Sequence, residues 1–273
     1  MRIPFFSFIA VFIVLFFASC SNTKEAKRYV AEAENAMHQH NFQLAKLKID
    51  SIKMRFPKAF DEIKSGFALM QQIRELENRR NIAFCDSGLR VNEELKTEML
   101  KSFEYIRDEK YEEKGTYYPT IYPLQTSLNQ NGLRSGVSEN GALFIESIFS
   151  GNTLKHYQVK VNTKNNAFAE TLPVTSDGLN YAFATGGKRY EIVRYSGNNE
   201  NGIAKFIYSF QQEPLTISFI GNKISSATLT EAQKKGISRS FELSQVLTQI
   251  EKLKYEKEKS EALLKYLESK KPD

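Results

Sequence analysis

The sequence predicts an α+β protein with four parts in order. They are an N-terminal helical hairpin, a long helix, an antiparallel β-sandwich or barrel head, and a long C-terminal coiled-coil-like helix packing back on the helical arm. Three observations carry this prediction. From Glu25 to about Glu113 apolar residues recur at three- and four-residue spacing, the period of an amphipathic helix. From Gly115 onward short apolar or alternating runs are separated by Gly- and Asn-containing turns. After Thr230 a heptad pattern takes over. The balance of 41% hydrophobic and 26% charged residues is that of a globular chain, which excludes global disorder. Twenty Phe and thirteen Tyr favour a β component, because these rings suit a half-buried pleated surface.

The chain opens with Arg2 and an apolar run from Phe5 to Phe17, FFSFIAVFIVLFF. This run is shorter than the roughly 20 residues a helix needs to cross a bilayer, and it has the length of a signal-peptide core. Phe17-Ala18-Ser19-Cys20 follows: one apolar residue, two small ones and a cysteine. This stretch resembles the lipobox of bacterial lipoproteins of the Bacteroidota type. The resemblance implies cleavage between Ser19 and Cys20, a diacylglycerol thioether on Cys20 and acylation of the new amine. Several acyl chains anchor stably because each buried methylene contributes about 0.8 kcal/mol. Ser21, and not Asp, follows the cysteine, and no acidic run of the surface-export kind comes next. The implied location is therefore the outer membrane, lipid-anchored and facing the periplasm.

In the expected mature chain, Ala26, Tyr29, Val30, Ala33, Ala36 and Met37 draw one apolar stripe, and Phe42, Ala45, Ile49, Ile52 and Phe56 draw a second. The polar turn His38-Gln39-His40-Asn41 separates them and Pro57 ends the pair. Tyr29, Ala33 and Ala36, then Phe42, Ala45, Ile49, Ile52 and Pro57, resemble a single tetratricopeptide-type helical hairpin. Such a repeat buries its faces only against a neighbour, so the hairpin is expected to dock on the next helix. Helical spacing continues over residues 58–113, with Phe60, Ile63, Phe67 and Met70 in one stripe and Leu95, Met99, Phe103 and Ile106 in another. One straight helix of that length would reach roughly 80 Å, so a bend is expected, and Gly88 marks a place for it.

Thr116 to Pro123 is β-prone, but two prolines demote it to an edge strand or an extended approach. Strands are expected at Ala142–Phe149, His156–Val161, Leu179–Ala184, Lys188–Tyr195, Ile203–Phe210 and Leu215–Ile220. Their turns are Asn140-Gly141, Gly151-Asn152, Asp177-Gly178, Gly186-Gly187, Gly197-Asn198 and Gly221-Asn222. No helical period interrupts this run, which argues against parallel βαβ units. In the last helix Leu243, Val246, Ile250, Leu253, Leu264 and Leu267 hold an a/d register, weakened where Lys257 and Ser260 fall on it. Thr230 and Gln233 have the spacing of a capping box. The expected partner for this seam is the stripe around Leu95–Ile106, with self-association or a separate protein partner as the rival. These readings divide the chain into a signal peptide (1–19), a lipid-anchored helical region (20–114), an antiparallel β domain (115–228) and a C-terminal helix (229–273).

The formal charge of +6 does not indicate nucleic-acid binding, because the C-terminal lysines alternate with Glu as on a solvated helix face. With Cys20 lipidated, Cys85 has no disulfide partner and reads as a buried thiol. His38 and His40 lack a third ligand at metal spacing. His156 is expected on the solvent face of a strand. No nucleophile elbow, zinc-binding helix or phosphate loop is present. The head's acids, among them Glu146 and Glu191, scatter near expected turns, which disfavours a carboxylate-pair hydrolase without removing it as an alternative. No catalytic, cofactor-binding or metal residue is assigned. Cys20 is the lipid-attachment residue, Tyr117, Tyr118 and Tyr122 are the candidate stacking aromatics for a glycan or peptide, and Tyr181, Tyr190 and Tyr195 belong to the same ligand-binding case. The expected role is a membrane-anchored envelope protein that binds or scaffolds, with a glycan- or peptide-binding receptor as the alternative.

Overall fold

The computed structural model describes residues 6–111, 113–128, 130–175 and 180–271, with side chains from residue 22 onward except 125 and 126. The Cys20 side chain and the Asp177-Gly178 turn lie outside the described residues. The chain forms two compact units, Met1–Asp86 with Tyr255–Asp273, and Ser87–Lys254. Helices α3 (Phe60–Leu100) and α6 (Glu231–Glu268) contribute to both. Among the described residues no helix is long and apolar enough to cross a membrane.

The first unit begins with the hairpin of α1 (Phe6–His38) and α2 (Phe42–Arg55). The Asn41 side chain accepts a hydrogen bond from the Leu44 N–H at 3.2 Å, which satisfies the start of α2. Ahead of it His40 sits at φ 57°, the left-handed region where a small residue is the easy choice. Ala33, Ala36, Phe42, Ala45 and Ile49 meet Leu69 and Ile73 of α3 in one apolar cluster. Ala26, Tyr29, Ile52, Phe56 and Ala59 form a second at the other end of the hairpin. The terminal part of α6 joins this unit through polar contacts: Asn81 bonds Ser260 at 2.8 Å and Asp86 pairs with Lys257 at 2.6 Å. The two residues that interrupt the heptad seam thus make its cross-links.

The second unit has two antiparallel sheets. The larger has the order β1 (Phe103–Ile106), β2 (Thr116–Pro119), β3 (Gly132–Ser138), β4 (Leu143–Ser150), β8 (Lys188–Ser196), β7 (Asn180–Thr185). The smaller has the order β10 (Ile224–Thr228), β9 (Leu215–Ile220), β5 (Gln158–Thr163), β6 (Phe168–Glu170). Neither closes on itself, so the barrel alternative is not the one adopted. Leu133, Ile145, Phe149, Val193 and Tyr195 of the large sheet face Val159, Val161, Leu215, Ile217 and Phe219 of the small one in a shared core. The first turns of α6 complete it with Ile237, while Leu243 and Leu247 pack on Val137 beside Met99 and Leu100 of α3.

Four expectations need correction. The helical stripe does not run through Ile106: α3 ends at Leu100, and Phe103–Ile106 pairs residue by residue with Thr116–Pro119. Gly88 does not break α3, which is continuous from Phe60 to Leu100; a Cβ there would lie 3.0 Å from Leu253 Cδ1, so the glycine lets α6 approach closely. The segment at Thr116 is not the sheet edge, because β1 lies outside it. Ile203–Ser209 is not a strand but helix α5, with Ile203, Ala204 and Ile207 on its buried face. Glu200 sets the start of α5 by accepting from the N–H groups of Gly202 (3.0 Å) and Ala204 (2.5 Å).

Candidate functional site

Strand β4 is buried along six successive positions, so it lies at the centre of the unit with both faces covered. Each face carries an ionisable residue. On one face Glu146 stands opposite Arg134 of β3 and Arg194 of β8 in the strand register. Both guanidinium groups bond its carboxylate, at 2.5 and 2.8 Å, and Arg134 also reaches Ser127 Oγ. The carboxylate is therefore neutralised on both sides, and none of its charge is left for chemistry.

The other face carries Ser147, His156 and Glu191. Ser147 Oγ lies 2.7 Å from His156 Nε2, and His156 Nδ1 lies 3.2 Å from Glu191 Oε2. His156 is not on a solvent face: it is 4% exposed, in the turn before β5. Glu191 shapes that turn, accepting from the backbone N–H groups of Leu154 (2.8 Å) and His156 (3.2 Å). Lys155 between them takes a left-handed φ of 51°. Burial disfavours the Glu191 carboxylate, but the backbone N–H bonds of Lys155 and Leu154 and the His156 contacts outweigh it and hold the carboxyl below the usual range. For His156 burial dominates over the Glu191 attraction, so the ring is held below the ordinary imidazole range and stays neutral. The tautomer that satisfies both bonds donates from Nδ1 to Glu191 and accepts at Nε2 from Ser147.

This order of groups is that of a nucleophile, a base and an orienting carboxylate. Access decides against catalysis. Ser147 is fully buried and does not line the adjoining cleft, and its hydroxyl also faces the Val193 carbonyl at 3.4 Å. Beside it the Tyr195 hydroxyl has no hydrogen-bond partner of good geometry among the described residues. The Ser147 and Thr171 hydroxyls lie near enough to favour its ionisation, but burial outweighs them and pushes the phenol well up. Glu146 and Glu191 project from opposite faces of the large sheet, since Glu146 registers with Arg194 and Glu191 with Phe149. They are not a facing carboxylate pair.

The His156–Glu191 pair forms one wall of a cleft of about 530 Å³ between the β7–β8 edge and the segment around residues 154–157. Tyr157 and Tyr181, 42% and 47% exposed, line it together with Lys155, Arg189 and Asn180. Arg189 lies 3.9 Å from Glu191, too far for a direct hydrogen bond. Asn180 donates to the Thr175 carbonyl at 2.8 Å, and its Oδ1 is buried without a partner among the described residues. The cleft thus offers two rings, two cations and an unsatisfied acceptor around a fixed polar wall.

The candidate tyrosines are not brought together. Tyr117 and Tyr118 are neighbours on β2 and point to opposite faces. Tyr117 packs against Tyr105, ring centroids 5.1 Å apart, and Tyr118 meets the edge of Phe144. The Tyr122 hydroxyl donates to the Ser127 carbonyl at 3.2 Å and accepts from Gln233 Nε2 at 3.0 Å. Of the cleft aromatics, Tyr181 is among the tyrosines the sequence singles out, whereas Tyr157 lies 24 residues away on a separate segment and no local spacing points to it. Cys85 is 1% exposed, and burial, then Glu256 and Asp86, push its thiol up, away from nucleophilic use. Among the described residues no group of three or more His, Cys, Asp or Glu is placed to hold a metal ion. Comparison with known proteins gives no match to a family model, a curated protein or a solved structure.

Proposed function

We propose that this chain is a lipid-anchored envelope protein whose β-rich unit binds a polar ligand, a glycan bearing an anionic group, in the cleft beside His156 and Glu191. The observation that carries the reading is the cleft's lining: exposed Tyr157 and Tyr181 rings next to Lys155, Arg189 and the Asn180 acceptor, which has no partner among the described residues. Tyrosine faces stack on sugar rings while their hydroxyls bond to them, and cations select a carboxylate or sulfate on the same ligand. The anchoring part rests on the lipobox resemblance at Cys20 and on the apolar run before it.

The test is a glycan array probed with the full chain, followed by titration of the hits. Tyr157→Ala and Lys155→Ala should each weaken binding of the same acidic glycans by roughly tenfold, with unchanged thermal stability. Hits that bind both variants as tightly as the parent place the ligand elsewhere and sink the cleft reading. For the anchor, Cys20→Ala should abolish metabolic acyl labelling and release the protein from membranes; continued labelling refutes lipidation at this residue.

A further inference from the structure

The first unit has a chemically distinct end. The hairpin brings the beginning of the described side chains in α1 next to the end of α2, where Tyr29 packs on Phe56 with ring centroids 5.7 Å apart and Arg55 bonds the Tyr29 hydroxyl. Six cations lie within five residues of this contact along the chain: Lys24, Lys27 and Arg28 from α1, Lys53 and Arg55 from α2, and Lys58 from the turn that follows. The guanidinium groups of Arg28 and Arg55 lie 5.9 and 5.7 Å from the Tyr29 ring centroid. All six are exposed. Among the acids of the same helices, Glu25 and Glu32 pair with Arg28, Glu32 also pairs with Lys48, Asp50 lies beside Lys53, and Asp61 and the buried Glu62 begin α3. Lys24, Lys27, Lys53 and Lys58 have no carboxylate partner among the described residues. Two large apolar side chains stand out among these cations, Met54 at 73% and Phe60 at 75% exposure.

An exposed ring and a methionine set among unpaired cations match the layered chemistry of an anionic bilayer surface. The cations face headgroup phosphates and the apolar groups enter the interface. The cations begin at Lys24, four residues past Cys20, so this end of the unit is also where the chain would emerge from the membrane. We infer that this end of the first unit seats on an anionic lipid surface, with Lys24, Lys27, Lys53 and Lys58 on the headgroups and Met54 and Phe60 in the interface. The inference rests on the lipid-anchored reading and extends it: the anchor fixes the chain to the bilayer and the basic end sets the unit's attitude on it.

The chain contains no Trp, so Phe60→Trp in the full chain supplies a single fluorescent reporter at an exposed position. The protein is reconstituted into phosphatidylcholine vesicles with or without phosphatidylglycerol, each carrying brominated acyl chains, and recovered by flotation. The expected result is a blue-shifted, quenched tryptophan emission in the anionic vesicles only, reversed by high salt. Adding Lys27→Glu, Lys53→Glu and Lys58→Glu should cut the quenched fraction by tenfold or more, on the order set by a severalfold loss per cation, with the helical circular dichroism unchanged. Floating protein without quenching, or with equal quenching in neutral and anionic vesicles, overturns the seating and leaves the anchor standing. Protein that floats with neither vesicle overturns both, and neither outcome bears on ligand binding at the cleft.

Discussion

His156 stays neutral because it is buried, and the unfolded chain has no such constraint. Its folded pKa lies below the ordinary 6.5, so as pH falls through about 6.5 the unfolded state takes up a proton that the folded state refuses. Stability is then lost, at up to about 1.4 kcal/mol per pH unit for one proton. Glu191 acts in the same direction at lower pH. Its folded pKa is below the ordinary 4.5, and its contribution, complete above that value, is lost as pH falls through the folded pKa. Melting temperatures measured against pH should therefore decline below about pH 6.5, and His156→Gln should flatten the upper part of that decline. Parallel curves for parent and variant would remove His156 as the cause. At the same scale, a fluorophosphonate probe should leave Ser147 unlabelled in the folded chain, because the hydroxyl is fully buried; labelling abolished by Ser147→Ala would restore the hydrolase alternative.

Helix α6 opens with a reciprocal cap. The Gln233 N–H donates to Thr230 Oγ1 at 3.2 Å, and the Thr230 N–H donates to Gln233 Oε1 at 3.0 Å. Thr230→Ala should destabilise the second unit by about 1 kcal/mol, read as a lower urea midpoint with an unchanged slope. This cap is legible in the sequence, as are the α1–α2 hairpin and the strands β4, β5, β8 and β9, because spacing or alternation repeats over enough residues to fix them. The failures have a common cause. Phe103-Glu104-Tyr105-Ile106 fits a helical stripe and a strand equally well, and only its partner Thr116–Pro119 decides between them. Ile203–Ser209 is rich in β-formers yet helical, because Glu200 caps it and the core takes its i, i+1, i+4 face. Strand β3 escapes a reading by pattern because Gly132 and Gly136 break its alternation. Both glycines are space for neighbours: a Cβ at Gly136 would fall 2.4 Å from the Phe144 ring. The site residues are less legible still. Ser147, His156 and Glu191 come from three separate segments, and the burial that defines them has no local signature.

The first unit draws on both ends of the chain and the second on one continuous middle segment, so truncations should act on them separately. The second unit contains Ser87–Lys254 whole, whereas the first needs Tyr255–Asp273. Deleting residues 255–273 removes the Ser260 and Lys257 cross-links and the pairs of Glu268 with Arg79 and Lys271 with Glu75. Hydrogen exchange should then speed up across α1, α2 and residues 60–86 while β3, β4 and β8 keep their protection. Deletion from Thr230 onward also takes Ile237, Leu243 and Leu247 from the second unit's cores and should unfold that unit as well. Retained protection in β4 after the longer deletion would show that α6 is dispensable to the sheet.

The Arg134–Glu146–Arg194 cluster bears on how the sheet finds its pairing. Successive residues of a strand point to opposite faces, so a slip of β4 by one residue against β3 and β8 would swing Glu146 toward Leu133, Val193 and Tyr195. An unpaired charge would then sit in the apolar core, at a cost of several kcal/mol. The cluster adds little net stability to the correct sheet, but it makes the nearest wrong sheets much worse. The cluster thereby specifies the register of β4 more than it strengthens the sheet.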